Sequence, residues 1–263
     1  MVDWKATLIP YEQAVEELKI KFKSIRNEYR KLDKYSPIEF VTGRVKRISS
    51  IIDKANLRNI QLEEIEDSIE DIAGIRIMCQ FKEDIYKVVD LVRARNGMDF
   101  DIIEERDYIS NMKDSGYRSY HIIIRYPVFT AYGKKEILAE IQIRTLAMNF
   151  WATIEHSLNY KFKGALPDHL RDRLRKAANA ALALDKEMSD IREESMNAQQ
   201  AFQERSNLVR DIIELLANLN VSQDREAIDN LNKEFFALNQ QNDLEALQKF
   251  LLKLRNYGLL NKW

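Results

Sequence analysis

Glycine is scarce in this sequence: seven in 263 residues, where average usage gives about 18. The seven stand at 43, 74, 97, 116, 133, 164 and 258, never closer than 17 residues apart. A Walker loop and a dinucleotide fingerprint both need clustered glycines that bring backbone N–H groups onto phosphates. Neither is present, so any nucleotide phosphate must be held by side chains. A single cysteine, Cys79, excludes an internal disulfide, and its apolar surroundings point to a buried thiol rather than a nucleophile. The three histidines show no HExxH spacing, which argues against a zinc site. No apolar run approaches the roughly 18 residues of a membrane span. The N-terminal stretch lacks a signal-peptide layout, so a cytoplasmic location without membrane association is expected. With 41 basic against 42 acidic residues the chain exerts no overall pull on polyanions. An anion site must therefore be a local cluster.

What is present is 45% hydrophobic and 32% charged residues, the composition of a globular protein. Apolar residues at 3–4 spacing (Val15, Leu18, Phe22, Ile25, Tyr29, Leu32) predict a helix over 11–34. Beside them runs a basic stripe of Lys19, Lys23, Arg26 and Arg30, which alone reads as a solvated face. Further helices are expected at about 43–56, 61–67 and 82–95. Between them come β-branched and aromatic runs at 75–81, 100–109, 119–128 and 136–145, the last two joined as a hairpin around Gly133. The alternation shows at least four strands and predicts an α/β domain; the expected fold is a mixed sheet of about five strands flanked by helices. From 145 to the end the pattern is helical. The expected division is a domain over 1–205 and a helical appendage over 206–263, suited to self-association or to packing back on the domain.

Chemistry concentrates in four segments. In EILAEIQIRT the residues Leu138, Glu140, Gln142 and Arg144 share one strand face opposite Ile137, Ala139, Ile141 and Ile143. Charged groups in register need partners or a cleft, which makes Glu140 a candidate metal ligand or general base. Asp71 precedes the strand IRIMCQF, where a Mg²⁺ ligand and a turn cap are both common. Between 41 and 61 the cations Arg44, Lys46, Arg47, Lys54 and Arg58 face only Asp53, five minus one, a local +4. A polyphosphate would suit it, and a solvated helix face would explain it as well. In KDSGYRSYH, Lys113, Tyr117 and His121 combine cations and rings as a nucleobase site does, although half-buried strand residues would look the same.

Together, EFVTGRVK (39–46), DIAGIRI (71–77), SGYRSYH (115–121) and EIQIRTLAMNFWATIEHSLNYK (140–161) resemble the synthetase domain of the RelA/SpoT family. The resemblance is greatest to its small single-domain alarmone synthetases of the RelQ type and spans about residues 5–205. No histidine is followed by Asp, so the His-Asp motif of the family's hydrolase domain does not occur. The resemblance implies a nucleotidyltransferase-like synthetase fold with a C-terminal helical extension. It also implies transfer of pyrophosphate from ATP to the 3′-hydroxyl of GDP or GTP, with Mg²⁺ on Asp71 and Glu140. Glu140 would also take the proton from the attacking hydroxyl. It assigns Arg44, Lys46, Ser50, Lys54 and Arg76 to ATP, and Arg106, Lys113, Tyr117, His121 and Gln142 to the guanine nucleotide.

By the same resemblance a homotetramer would bind pppGpp as an allosteric activator through Lys19, Lys23, Glu39, Phe40, Thr42 and Asn149, and single-stranded RNA is a further partner of such tetramers. Two features depart from the pattern: Arg47 stands where relatives have Pro, and the tail beyond 206 exceeds the usual length. The alternatives are a tRNA 3′-end pyrophosphokinase of the same fold and a non-catalytic RNA-binding adaptor. The guanine-site motif argues against the first, and the retention of both Asp71 and Glu140 against the second.

Overall fold

The computed structural model describes residues 3–162, 165–219, 225–241 and 243–260. Residues 220–224, 242 and 261–263 of the expected helical appendage lie outside them. Two compact units emerge, Met1–Ser189 and Asp190–Trp263.

The first unit is built on a five-stranded sheet in the order β1-β2-β5-β4-β3. Its strands are β1 (Phe40–Val45), β2 (Ala73–Cys79), β3 (Asp101–Asp107), β4 (Tyr120–Thr130) and β5 (Gly133–Thr145). Only the central β2/β5 pair is parallel; the other three pairs are antiparallel. Strand alternation sends Ile75, Ile77, Cys79, Ile122, Ile124, Ile141 and Ile143 into one core. That face is covered by α1 (Trp4–Lys31) through Tyr11, Ala14, Val15, Leu18, Phe22 and Ile25. It is also covered by α2 (Ile48–Arg58) and α4 (Lys82–Arg93). A short α3 (Ile65–Ser68) precedes β2. The buried thiol expected at Cys79 is found there.

Two expectations need correction. The first helix begins at Trp4, seven residues earlier than its periodicity indicates, because Asp3 caps it by accepting hydrogen bonds from the amides of Lys5 and Ala6. The segment expected to turn helical at 43 is instead the edge strand β1, and α2 starts only at Ile48. The cause is tertiary. Gly43 faces α1, and a Cβ there would lie 2.8 Å from Val15 Cγ1 and 3.0 Å from Ile75 Cδ1. Glycine thus lets β1 close against the helix.

After β5 the chain enters α5 (Leu146–Lys161) and the long α6 (Asp168–Leu219). Thr145 caps α5 through a bond from the amide of Met148. Its hydroxyl also donates to the buried Asp185 of α6 at 2.8 Å. Burial pushes the Asp185 carboxyl up to about 6; Glu83 adds to the rise, while Thr145, Arg118 and Lys82 oppose it. A carboxyl whose folded pKa exceeds its unfolded value stabilises the fold below that unfolded value, near 4, and loses this as pH rises through 6. Asp185→Asn, which does not titrate, is expected to gain on the wild type between pH 4.5 and 7.5. The gain in unfolding free energy should approach about 3 kcal/mol at its upper bound. Chemical denaturation at several pH values checks this, and a pH-independent difference would contradict it.

The second unit comprises the remainder of α6 with α7 (Arg225–Gln241) and α8 (Leu244–Leu260). Ile212, Leu216, Leu231, Leu247, Phe250 and Leu254 form its own core, with Phe235 stacked on Phe250. No break in secondary structure marks residue 206, because α6 runs through it.

Candidate active site

The face of the sheet opposite the core carries the polar residues, and strand register brings them into rows. One row crosses all five strands through Thr42, Arg76, Gln142, His121 and Arg106. The next contains Arg44, Gly74, Glu140, Ile123 and Glu104. Paired residues project to the same face, so six of the residues expected at the site share one surface. Gly74 leaves the floor between Arg44 and Glu140 clear of any side chain.

Asp71 lies at the entrance to β2, where the two basic elements on either side reach it. Lys46, just after β1, donates to one carboxylate oxygen at 2.6 Å, and Lys54 of α2 donates to the other at 2.7 Å. Ser50 sits one turn before Lys54 on the same helical face. Burial would raise the Asp71 carboxyl, yet the two lysine ammoniums outweigh it and hold the group below the usual carboxylate range.

Glu140 is almost wholly buried and fully partnered. One oxygen meets His121 Nδ1 at 2.7 Å and the other accepts from Gln142 Nε2 at 2.6 Å. Burial and the nearby Asp71 both raise its carboxyl, but the His121 and Gln142 bonds prevail and keep it below its ordinary value. It is therefore ionised at neutral pH.

The Arg76 guanidinium hydrogen-bonds Gln142 at 3.3 Å. Burial, Arg144 and Arg44 lower its proton affinity and outweigh the opposing pull of Tyr117 and Glu140.

Beyond His121 lies a ring cluster. Tyr117 Oη meets His121 Nε2 at 2.8 Å and accepts a hydrogen bond from Arg144. Lys113 Nζ stands 4.2 Å from the centroid of Tyr108 and 5.3 Å from that of Tyr117. Burial raises the Tyr117 hydroxyl above its ordinary value, so the ring is a neutral phenol. Arg106 reaches the same row, but it is clamped by Glu70 at 2.7 and 2.9 Å and by Glu104.

Residues that the sequence motifs do not assign also belong here. Arg144 is buried, donates to Gln142 at 2.8 Å and to Ser119 at 3.0 Å, and fixes Tyr117. Alternation with Gln142 is the signal that could have selected it. Tyr108 packs edge-on to His121, with centroids 5.2 Å apart, and no motif marks it. On α5, burial and Arg44, with Arg76 and Lys46, lower the His156 imidazole against an opposing Glu155.

The six residues expected to hold an effector are spread over three elements. Lys19 and Lys23 are on α1, where Lys19 pairs with Glu16 at 2.7 Å. Glu39 accepts from Gln80 at 2.8 Å and leads into Phe40 and Thr42 on edge strand β1. Asn149 is on α5, and its Oδ1 is buried without a hydrogen-bond partner. Among the described residues no hydrogen bond or ion pair joins any two of the six.

Residues 43–165 match the region found in RelA / SpoT proteins. The chain is 57% identical over 199 residues to the GTP pyrophosphokinase YjbM of Bacillus subtilis (strain 168), covering 76% of this chain and 93% of that protein. The chain belongs to the RelA/SpoT family. Family structures agree in fold. A GTP pyrophosphokinase family protein from Streptococcus pneumoniae superposes with a TM-score of 0.71 at 55% identity, covering 76% of this chain and 97% of that one. The small alarmone synthetase 1 from B. subtilis bound to its product pppGpp gives 0.70 at 57% identity, over 73% and 97% of the two chains.

Against the family pattern, Arg47 in place of Pro has a simple backbone explanation. Its φ of −64° is a value that proline also adopts, so the backbone at the turn into α2 is compatible with either residue, and Arg47 adds a charge. The carboxylate pair suits a hard divalent cation, since Asp71 and Glu140 offer only oxygen donors. Among the described residues no third His, Cys, Asp or Glu completes a cage. Such a pair fits a metal that draws its other ligands from phosphate and water.

Proposed function

We propose that this chain is a GTP pyrophosphokinase that moves the β,γ-pyrophosphate of ATP onto the 3′-hydroxyl of GDP or GTP. The observation that carries the reading is the pair of rows across the sheet. They range the cations Arg44 and Arg76, then Glu140 with Gln142, then His121 along one surface, in that order. Arg44 and Arg76 stack on the adenine, while Lys46, Ser50 and Lys54 take the phosphates. Tyr117 carries the guanine, with Lys113, His121, Gln142 and Arg106 around its ribose and phosphates. The 3′-oxygen attacks the β-phosphorus, the bond from that phosphorus to the α,β-bridging oxygen breaks, and AMP leaves. Glu140, ionised and held by His121 and Gln142, receives the 3′-hydroxyl proton. Asp71 and Glu140 would hold Mg²⁺, which would supply positive charge to the phosphoryl oxygens.

The test is to incubate the protein with labelled ATP, Mg²⁺ and GDP, GTP or tRNA in separate reactions. Guanosine tetra- or pentaphosphate supports the reading. Label on tRNA alone would move the acceptor, and no product with any acceptor would refute catalysis.

The same reading places an activating pppGpp on Lys19, Lys23, Glu39, Phe40, Thr42 and Asn149, in a homotetramer whose subunits together complete the cleft. Asn149 supports it with an unsatisfied buried oxygen. Lys23→Ala is expected to flatten the rise in rate with added pppGpp at least fivefold in half-saturating concentration, the value of one charge-assisted phosphate contact of about 1 kcal/mol. An unchanged activation curve would return the stripe to a solvated face. RNA binding belongs to the same tetramer reading, and a gel-shift with single-stranded RNA checks it.

A further inference from the structure

Arg118 is a buried cation with no direct ion pair among the described residues; Asp185 favours its charge from a distance, while burial lowers its proton affinity. A buried guanidinium needs acceptors, and those it finds are what it holds in place. Its guanidinium donates to the carbonyl of Gly116 at 3.2 Å, to the carbonyl of Ala178 at 3.1 Å and to the side-chain oxygen of Asn179 at 3.4 Å. The first acceptor belongs to the loop that presents Tyr117, and the other two belong to α6.

The loop and the helix are also in direct contact. Gly116 has φ +89°, and a Cβ on it would fall 2.6 Å from that of Ala178. Tyr117 and Leu174 pack against the cluster of Trp151, Ala152 and Ala178, and the Trp151 indole donates to the Leu174 carbonyl at 2.8 Å. The ring is thus fixed from two sides. Arg144 and His121 hold its hydroxyl from the sheet. Arg118 holds its backbone from the helix.

We propose that Arg118 is a positioning residue for the acceptor nucleotide, acting through Tyr117 by tying the 116–118 loop to α6. The proposal rests on the reading of Tyr117 as the guanine platform. Arg118 touches neither the carboxylates nor the lysines, so its influence falls on the acceptor and spares the donor.

Kinetics of Arg118→Ala, Arg118→Lys, Tyr117→Ala and the double Tyr117→Ala/Arg118→Ala test it, with GDP and ATP varied separately. Arg118→Ala is expected to raise KM for GDP about tenfold while KM for ATP stays within about twofold, the effect of misplacing one binding surface. Arg118→Lys, which can still reach one carbonyl, recovers part of the loss. In the double variant the two losses do not add, because both remove the same platform. Should Arg118→Ala fail to fold, Arg118→Gln keeps a donor without the charge and carries the same test. Equal rises in both KM values, or additive losses, would overturn the proposal and leave Tyr117 as the platform. An unchanged KM for GDP in Tyr117→Ala would overturn the guanine reading, and the proposal with it.

Discussion

Glu140→Gln is expected to reduce turnover by roughly 10³-fold or more, while KM values and thermal stability change little. The size follows from two proposed roles lost at one atom pair: proton acceptor for the 3′-hydroxyl, and half of the carboxylate charge offered to the metal. The fold has reason to survive the exchange. Glutamine keeps the volume, and its amide oxygen still accepts from Gln142 Nε2, now 2.6 Å from a carboxylate oxygen. The new amide nitrogen faces His121 Nδ1, which can accept from it by changing tautomer while Nε2 serves Tyr117. Steady-state kinetics with nucleotide binding by calorimetry separate the two outcomes. A variant that retains a tenth of its turnover would remove Glu140 from the chemistry.

Metal binding by the nucleotide-free protein is expected to be weak, and at least about 100-fold tighter once an ATP analogue is present, because each lost carboxylate contact is worth more than 1 kcal/mol. All four oxygens of Asp71 and Glu140 are occupied by protein groups. Lys46 and Lys54 occupy Asp71 as they would occupy phosphate, so anion and cation sites neutralise each other when empty. Arriving phosphates draw the lysines away and free the carboxylate. Mn²⁺ titration followed by electron paramagnetic resonance measures this directly. The double substitution Lys46→Met and Lys54→Met gives the opposite sign, tighter metal alone and weaker nucleotide. Tight metal binding without nucleotide in the unaltered protein would contradict the coupling.

The part of this site that is legible in the sequence is its strand face. Alternation in EILAEIQIRT by itself puts Glu140 and Gln142 on one side, and β5 keeps them there. Local pattern says nothing of which strand pairs with which. The parallel β2/β5 pairing that aligns Arg76 with Gln142 comes from a crossover through α4, β3 and β4, beyond any local window. The edge strand β1 escapes a local reading because Gly43 looks like a boundary, whereas its missing side chain answers to Val15 of α1. Long side chains hide their partners for the same reason. Lys54 meets Asp71, and Arg106 meets Glu70, only because separate elements converge. The scarcity of glycine keeps its meaning: arginine and lysine surround the face where backbone loops would otherwise hold phosphate.

The central claim is that two phosphorus atoms move together from one nucleotide to another. Supplying ATP labelled at its β-phosphate, with GDP as acceptor, tests this most directly. The label is expected in guanosine tetraphosphate, with unlabelled AMP released in equal amount. Label retained in ADP would mean that a single phosphoryl group had moved, and would contradict the account.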